Sequence, residues 1–123
     1  MTFLNCIFVG IGGFLGAVCR YLIGLLPYKM DNGFPIKTLI INVVGAFVLS
    51  LITALAAKHE AWNPQVILML RVGVCGGFTT FSTFACESMD LMKAGSPGVA
   101  IGYMLFSMLL GLAAVFAAQL LVR

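Results

Sequence analysis

Long apolar stretches constrain this chain more than any other feature of its sequence. No Asp, Glu, Lys or Arg occurs from Met1 to Cys19, and none occurs from Gly98 to Val122. The 123 residues are 62% hydrophobic and 9% charged, whereas a water-soluble domain carries about 25% charged residues. A helix needs about 20 apolar residues to cross a bilayer. The chain is therefore predicted to be an all-α integral membrane protein with a single transmembrane domain, residues 1–123.

Four membrane-spanning helices account for nearly all of the chain. We predict them at residues 3–26, 36–57, 72–86 and 98–122. Arg20 and Tyr21 mark an approach to the membrane interface, and Trp62 lies in the second loop, as is typical of interfacial anchors. This organisation excludes a water-soluble enzyme and a DNA-binding module. The net charge of +3 is spread over loops and helix ends, so no nucleic-acid partner is expected.

The third span departs from the pattern of the others. Only 15 residues, 72–86, separate Arg71 from Glu87, which is short for a simple crossing of about 20 residues. The glycines and threonines at its centre disfavour an uninterrupted helix. A short, glycine-interrupted segment indicates a discontinuous helix at an ion site. Gly73 and Gly77 also form a GxxxG pair, which is typical of close helix packing, and the residues alone leave both interpretations open.

Basic residues are divided almost evenly between the two ends of the predicted bundle. Three lie at one end and four at the other: Lys58, Arg71 and Arg123 against Arg20, Lys29, Lys37 and Lys93. Orientation in a membrane follows the Lys/Arg bias of short loops, and here that bias is nearly absent. Insertion in both orientations would permit an antiparallel homodimer, and four helices are few to enclose a pore alone.

Polar side chains inside the predicted spans are mostly neutral. They lie on the second, third and fourth spans: Thr38, Asn42, Ser50, Thr53, Thr79, Thr80, Ser82, Thr83, Tyr103 and Ser107. Many neutral donors without a fixed charge suit an ion that sheds water and leaves again. Phe81 and Phe84 are three residues apart on one helical face, and the electropositive edges of their rings could receive a small anion. Lipid contact or core packing explains the same spacing.

Three motifs resemble the signatures of the small bacterial fluoride channels, the Fluc or CrcB family. Residues 76–84, GGFTTFSTF, resemble GGxTTFSTF in the third helix of that family. Residues 12–21, GGFLGAVCRY, resemble GGxxGAxxRY in its first helix, and residues 38–47, TLIINVVGAF, are similar to TLxxNxxGxF in its second. Phe78, Lys37 and Ser50 depart from residues frequent in the family, and altered packing or vestibule charge is expected there.

The resemblance implies a dual-topology antiparallel homodimer with two pores, in which the third helix is broken near its centre. It implies passive export of fluoride through the bacterial cytoplasmic (inner) membrane, which relieves fluoride toxicity. The expected partners are therefore the fluoride ion, a second copy of the chain and the lipid bilayer.

The resemblance also assigns roles to individual residues. It places the pore and fluoride-binding positions at Phe81, Phe84, Asn42, Ser82, Thr83, Tyr103 and Ser107, and the vestibule at Arg20, Thr38 and Glu87. It implies a structural Na⁺ at the dimer centre, bound by the backbone carbonyls of Gly76 and Thr79 from each subunit. A broken helix exposes carbonyls that need partners in lipid, and hard oxygen ligands suit a hard cation.

Other classes of membrane protein have weaker support. A small multidrug-resistance-type exporter also has four helices, but it needs a carboxylate deep in its first helix, and the first acidic residue here is Asp31, in a loop. A non-transporting accessory subunit would pass no ion. An enzyme is not expected, because the single histidine, His59, has no evident nucleophile beside it.

Overall fold

The structure is a computed structural model that describes the whole chain, residues 1–123, as helices joined by short loops. The helices are α1 (Thr2–Gly24), α2 (Ile36–Lys58), α3 (Pro64–Leu68), a π-helix (Met69–Cys75), α4 (Gly76–Phe78), α5 (Phe81–Lys93) and α6 (Pro97–Val122). Four stretches are long and apolar enough to cross a membrane: Thr2–Gly24, Ile36–Lys58, Pro64–Lys93 and Pro97–Val122. The prediction of an all-helical, four-span membrane protein is confirmed.

The third span is longer than the sequence predicted. It covers 30 residues, Pro64–Lys93, rather than 72–86, and Arg71 and Glu87 lie inside it rather than at its ends. The reason is an early helix start: the Asn63 side chain caps α3 by accepting from the backbone N–H of Gln65 at 2.8 Å, and proline is favoured in the first turn. Charged side chains within a span can reach water by snorkelling. Arg71 and Glu87 therefore do not mark the ends of the third span.

Two threonines interrupt the helical backbone of the third span. Thr79 (φ −78°, ψ 157°) and Thr80 (φ −149°, ψ 117°) are extended, between the last residue of α4 and the first of α5. The Thr80 hydroxyl oxygen accepts from the N–H of Thr83 at 3.2 Å, which makes Thr80 the N-cap of α5. β-Branched residues favour extended backbone, and the third span therefore has a helix C-terminus and a helix N-terminus close to its middle.

The helix α1 packs against the first half of the third span through glycine-lined backbone contacts. A Cβ added to Gly73 would lie 2.8 Å from Gly12 Cα, and one added to Gly77 would lie 2.7 Å from Gly13 O. Helices come this close only where side chains are absent. The packing interpretation of Gly73 and Gly77 is confirmed, and it holds alongside the extended backbone at Thr79 and Thr80.

The helix α6 packs against α2 and α5. Its small apolar core contains Leu39, Leu91, Ala100 and Tyr103. Only 14 of 123 residues are buried, and large side chains such as Phe14, Leu112 and Phe116 are 63–69% exposed. So much apolar surface is stable only in contact with lipid or with another subunit.

Candidate functional site

The Asn42 side chain joins α2 to the non-helical backbone of the third span. Its Nδ2 donates to the carbonyl of Thr80 at 3.1 Å, and its Oδ1 accepts from the Thr80 N–H at 2.8 Å. One amide thus satisfies both backbone groups of Thr80, as a neighbouring strand would. The two extended residues between α4 and α5, Thr79 and Thr80, are together called the break. Asn42 therefore fixes the position of the break against α2.

The Glu87 carboxylate collects two hydroxyl donors from different helices. Tyr103 on α6 donates to Oε1 at 2.9 Å, and Thr38 on α2 donates to Oε2 at 3.1 Å. Hydrogen bonds to an ionised carboxylate are stronger than bonds between neutral groups. This cluster ties α2, α5 and α6 together and concentrates polar atoms one and a half turns past the start of α5.

Three aromatic rings follow one another from the outer surface of the chain toward its core. The ring centroids of Phe81 and Phe84 are 5.7 Å apart, and those of Phe84 and Tyr103 are 5.1 Å apart, in tilted arrangements. Phe81 is 79% exposed, whereas Tyr103 is fully buried. Phe84 therefore lies between the polar Glu87 cluster and an outward-facing phenylalanine.

Hydroxyl groups lie next to the break and also on α6. The Thr80 Oγ1 lies 3.3 Å from Ser82 Oγ and donates to Thr83 Oγ1 at 3.1 Å. On α6, Ser107 lies one turn beyond Tyr103, and its hydroxyl is buried without a hydrogen-bond partner. A buried hydroxyl without a partner is energetically unfavourable, so Ser107 offers a free donor.

An open cavity of about 600 Å³ lies between the α1–α2 connection and α5. Arg20, Thr38, Thr80, Thr83 and Glu87 contribute to its lining. The Arg20 Nε also donates to the carbonyl of Gly77 at 3.3 Å. This hydrogen bond satisfies one of the backbone acceptors near the end of α4. The cavity therefore connects aqueous solvent with the polar groups of the break.

Two carbonyls near the break are released from helical hydrogen bonding. In a continuous helix the N–H of Thr80 would bond to Gly76 O, and the N–H of Thr83 would bond to Thr79 O. Here Thr80 N–H donates to Asn42 Oδ1 and Thr83 N–H donates to Thr80 Oγ1. The oxygens of Gly76 and Thr79 are therefore available as ligands for a hard cation.

The structure brings most of the predicted site residues together around the break. The vestibule set, Arg20, Thr38 and Glu87, lines one cavity, and Thr83 faces it too. Ser50 and Thr53, the other neutral polar residues predicted within the second span, make contacts elsewhere: Ser50 donates to Val115 O, and Thr53 donates to Leu49 O of its own helix. The sequence motifs assign Thr80 no role of its own, although threonine is among the residues favoured at a helix N-cap.

Comparison with known proteins gives one family across nearly the whole chain. The family described as CrcB-like protein, Camphor Resistance (CrcB), matches residues 7–119. A protein of Chlorobaculum tepidum named fluoride-specific ion channel FluC is 40% identical over 123 residues, 100% of this chain and 98% of that protein. Proteins of the same name are 38% identical in Gloeothece citriformis, covering 98% of both chains, and 47% identical in Methanopyrus kandleri, covering 87% of this chain and 80% of that one.

Proposed function

The chain belongs to the CrcB-like protein family, and from that premise we propose that it is a fluoride-selective channel through which fluoride leaves the cell passively. The observation that carries the proposal is the 40% identity, over the full length of the chain, to a protein named fluoride-specific ion channel FluC. The four apolar spans provide the membrane passage that such an activity needs. We place the protein in the cytoplasmic (inner) membrane of a bacterium, where export would relieve fluoride toxicity.

The proposed path begins in the cavity beside Arg20 and passes the Glu87 cluster and the phenylalanine pair. Fluoride is a small, strongly hydrated anion, so a path that strips its water must offer hydrogen-bond donors and positive ring edges instead. The hydroxyl groups along the path belong to Thr38, Ser82, Thr83, Tyr103 and Ser107. Those of Thr38 and Tyr103 donate to Glu87, so the donors left for the ion are Ser82, Thr83 and Ser107. The unpartnered Ser107 hydroxyl supports this role, because a donor without an acceptor suits a transient anion.

A second subunit completes the proposed pore. Phe81 is 79% exposed on a single chain, so an ion beside its ring would meet lipid unless another protein surface covered it. Gly98, Gly102 and Gly111 leave α6 without any neighbour within 4 Å of the positions where their Cβ atoms would lie, and small residues favour close helix contact. We propose an antiparallel homodimer with two pores, for which the even Lys/Arg distribution allows both orientations.

A sodium ion at the dimer centre is part of the proposal. The free carbonyls of Gly76 and Thr79 fit it: two subunits related by a twofold axis would supply four neutral oxygens, and a cation there would satisfy both breaks. The bound ion would hold the two broken spans together and supply no reaction. Purification with Na⁺ replaced by the larger N-methylglucammonium should lower the melting temperature of the dimer, and an unchanged melting temperature would remove the ion from the account.

The family is one of ion channels, not enzymes. The alternative of a small multidrug-resistance-type exporter has a specific requirement, a carboxylate within the first span, and α1 contains no acidic residue. Drug-dependent proton flux in proteoliposomes would favour that alternative.

Reconstitution tests the proposed function. Liposomes loaded with fluoride and containing the purified protein should release it at a rate far above protein-free vesicles, as read by a fluoride electrode, once a potassium ionophore removes the limiting membrane potential. Vesicles loaded with chloride should retain it. Chloride release at a comparable rate would contradict fluoride selectivity.

A further inference from the structure

Lys37 lies at the start of α2, but its ammonium group lies on the end of α1. The Nζ donates to Gly24 O at 2.9 Å and to Leu26 O at 3.0 Å. Carbonyls at a helix C-terminus lack partners within the helix and carry partial negative charge. The ammonium group bonds to the carbonyl of Gly24, the last residue of α1, and to the carbonyl of Leu26 in the turn that follows; neither acceptor carries a formal charge that would offset the charge of the lysine.

Helix stability within α2 does not account for this lysine. Lys37 is the second residue of α2, and a cation in the first turn of a helix opposes the helix dipole. The favourable interaction is instead made across the loop, with the end of α1. Lys37 therefore replaces a negatively polarised helix end by a positive group at the surface between α1 and α2.

Gly24 and Lys37 both line the cavity described above. Lys37 lines the cavity together with the basic residues Arg20 and Lys29 and the acidic residues Glu87 and Asp90. Three basic and two acidic side chains leave one net positive charge in the lining. Without Lys37 the basic and acidic groups would balance, and the carbonyls of Gly24 and Leu26 would lose their ammonium partner.

We propose that Lys37 is an anion-attracting residue that raises the fluoride concentration at the mouth of the pathway. The proposal rests on the proposed function, because it needs an anion that enters through this cavity. A net excess of one sign of charge in the lining of a cleft raises the local concentration of ions of the opposite sign. Lys37 also offsets the partial negative charge at the end of α1. Its removal should therefore make the electrostatic potential in the cavity more negative in two ways, because a positive charge is lost and the Gly24 carbonyl loses its partner.

Ionic strength separates this electrostatic role from a purely structural one. Fluoride efflux is measured for wild type and for Lys37→Met, Lys37→Arg and Lys37→Glu, at fluoride concentrations well below saturation. Each protein is tested in low and high concentrations of an impermeant salt, since the screening length falls from about 30 Å at 0.01 M to about 3 Å at 1 M. Lys93→Met is the control: Lys93 is also basic and exposed, at the end of α5, but lies outside the cavity.

We expect Lys37→Met to slow efflux at low salt by about two- to tenfold, Lys37→Glu to slow it more, and Lys37→Arg and Lys93→Met to match wild type. The differences should shrink at high salt. A Lys37→Met rate equal to wild type at low salt would overturn the proposal, as would a loss that persists at high salt. If Lys37→Met fails to fold, the salt dependence of Lys37→Glu and Lys37→Arg decides. Absence of fluoride efflux from the wild-type protein would instead refute the proposed function.

Discussion

Asn42 makes a pair of hydrogen bonds to the backbone of a single residue, Thr80. Its amide satisfies the N–H and the C=O of Thr80, where the third span is not helical. Inside a bilayer, backbone groups without partners are costly because water is absent. Asn42 is therefore a structural residue as well as a predicted pore residue.

Replacement of Asn42 by alanine should lower the free energy of unfolding by about 2–4 kcal/mol, since two part-buried backbone groups lose their partners. Thermal unfolding in detergent measures the effect. Thr53→Ala is the matched control on the same helix, because the exposed Thr53 hydroxyl bonds only to its own helix. Equal melting temperatures for the two variants would contradict the proposed role of Asn42.

Replacement by alanine should have opposite effects at Ser107 and Ser50: one variant should lose fluoride efflux and the other stability. Ser107→Ala removes a buried hydroxyl that has no partner, so stability should not fall, while fluoride efflux should slow because a donor on the path is lost. Ser50→Ala removes the bond to Val115 O and should cost about 1 kcal/mol without slowing efflux. Fluoride-electrode traces and melting curves of both variants check this. A wild-type rate for Ser107→Ala would exclude its hydroxyl from the path.

At the residue scale, sequence motifs indicated candidate site residues, but the hydrogen-bond partners of their side chains came only from the structure. The order of residues 76–84 indicated Phe81, Phe84 and the hydroxyl track. The bonds from Thr38 and Tyr103 to Glu87 join three different helices, with donors 49 and 16 residues from the acceptor, and no local pattern specifies such contacts. The sequence likewise does not predict that the Lys37 ammonium group bonds across the loop to the carbonyls of Gly24 and Leu26.

At the element scale, the third span shows why local charge is a poor guide to helix ends. Arg71 and Glu87 suggested a span of 15 residues, 72–86, whereas helical structure begins at Pro64 and continues to Lys93 around two extended threonines. Asn63 followed by Pro64 is a helix-start pattern that the prediction of residues 72–86 did not use, and in the structure it marks the start of this span. The packing interpretation of Gly73 and Gly77 was correct. The helix is interrupted at Thr79 and Thr80, however, and not at the glycines, which remain helical.

Close packing of α1 on the third span predicts a sharp difference between two glycines. A Cβ on Gly77 would lie 2.7 Å from Gly13 O and 3.0 Å from Gly13 Cα, whereas one on Gly10 would meet nothing within 4 Å. Gly77→Ala should force the backbones apart and cost about 1–3 kcal/mol. Gly10→Ala should gain up to about 1 kcal/mol of helix propensity. Melting curves compare them, and a Gly77→Ala protein as stable as Gly10→Ala would contradict the packing.

At the scale of the whole molecule, the single chain leaves most of its apolar surface uncovered. Hydropathy identified the four spans, because lipid imposes the same rule on every crossing helix. Hydropathy does not distinguish a surface that meets lipid from one that meets another subunit. Phe81, at 79% exposure, is such a case, and the proposed dimer depends on its being covered by the partner.

The even distribution of basic residues predicts insertion in both orientations. In a variant whose four native cysteines are replaced, a single cysteine at the loop residue Asn32 should react with an impermeant maleimide from each side of the membrane, in roughly half of the molecules. A membrane-permeant reagent applied to the same cells gives the total. Labelling from one side only would contradict the antiparallel dimer.

The most direct test of the central claim, that fluoride crosses beside the phenylalanine pair at the interrupted third span, is fluoride efflux from liposomes containing Phe81→Ile or Phe84→Ile. Isoleucine keeps the apolar character but removes the electropositive ring edge. Phe116→Ile is the control, since Phe116 is 63% exposed on α6 and is not on the path. The account predicts slower efflux for both pathway variants and the wild-type rate for the control. Wild-type efflux from both Phe81→Ile and Phe84→Ile would contradict it.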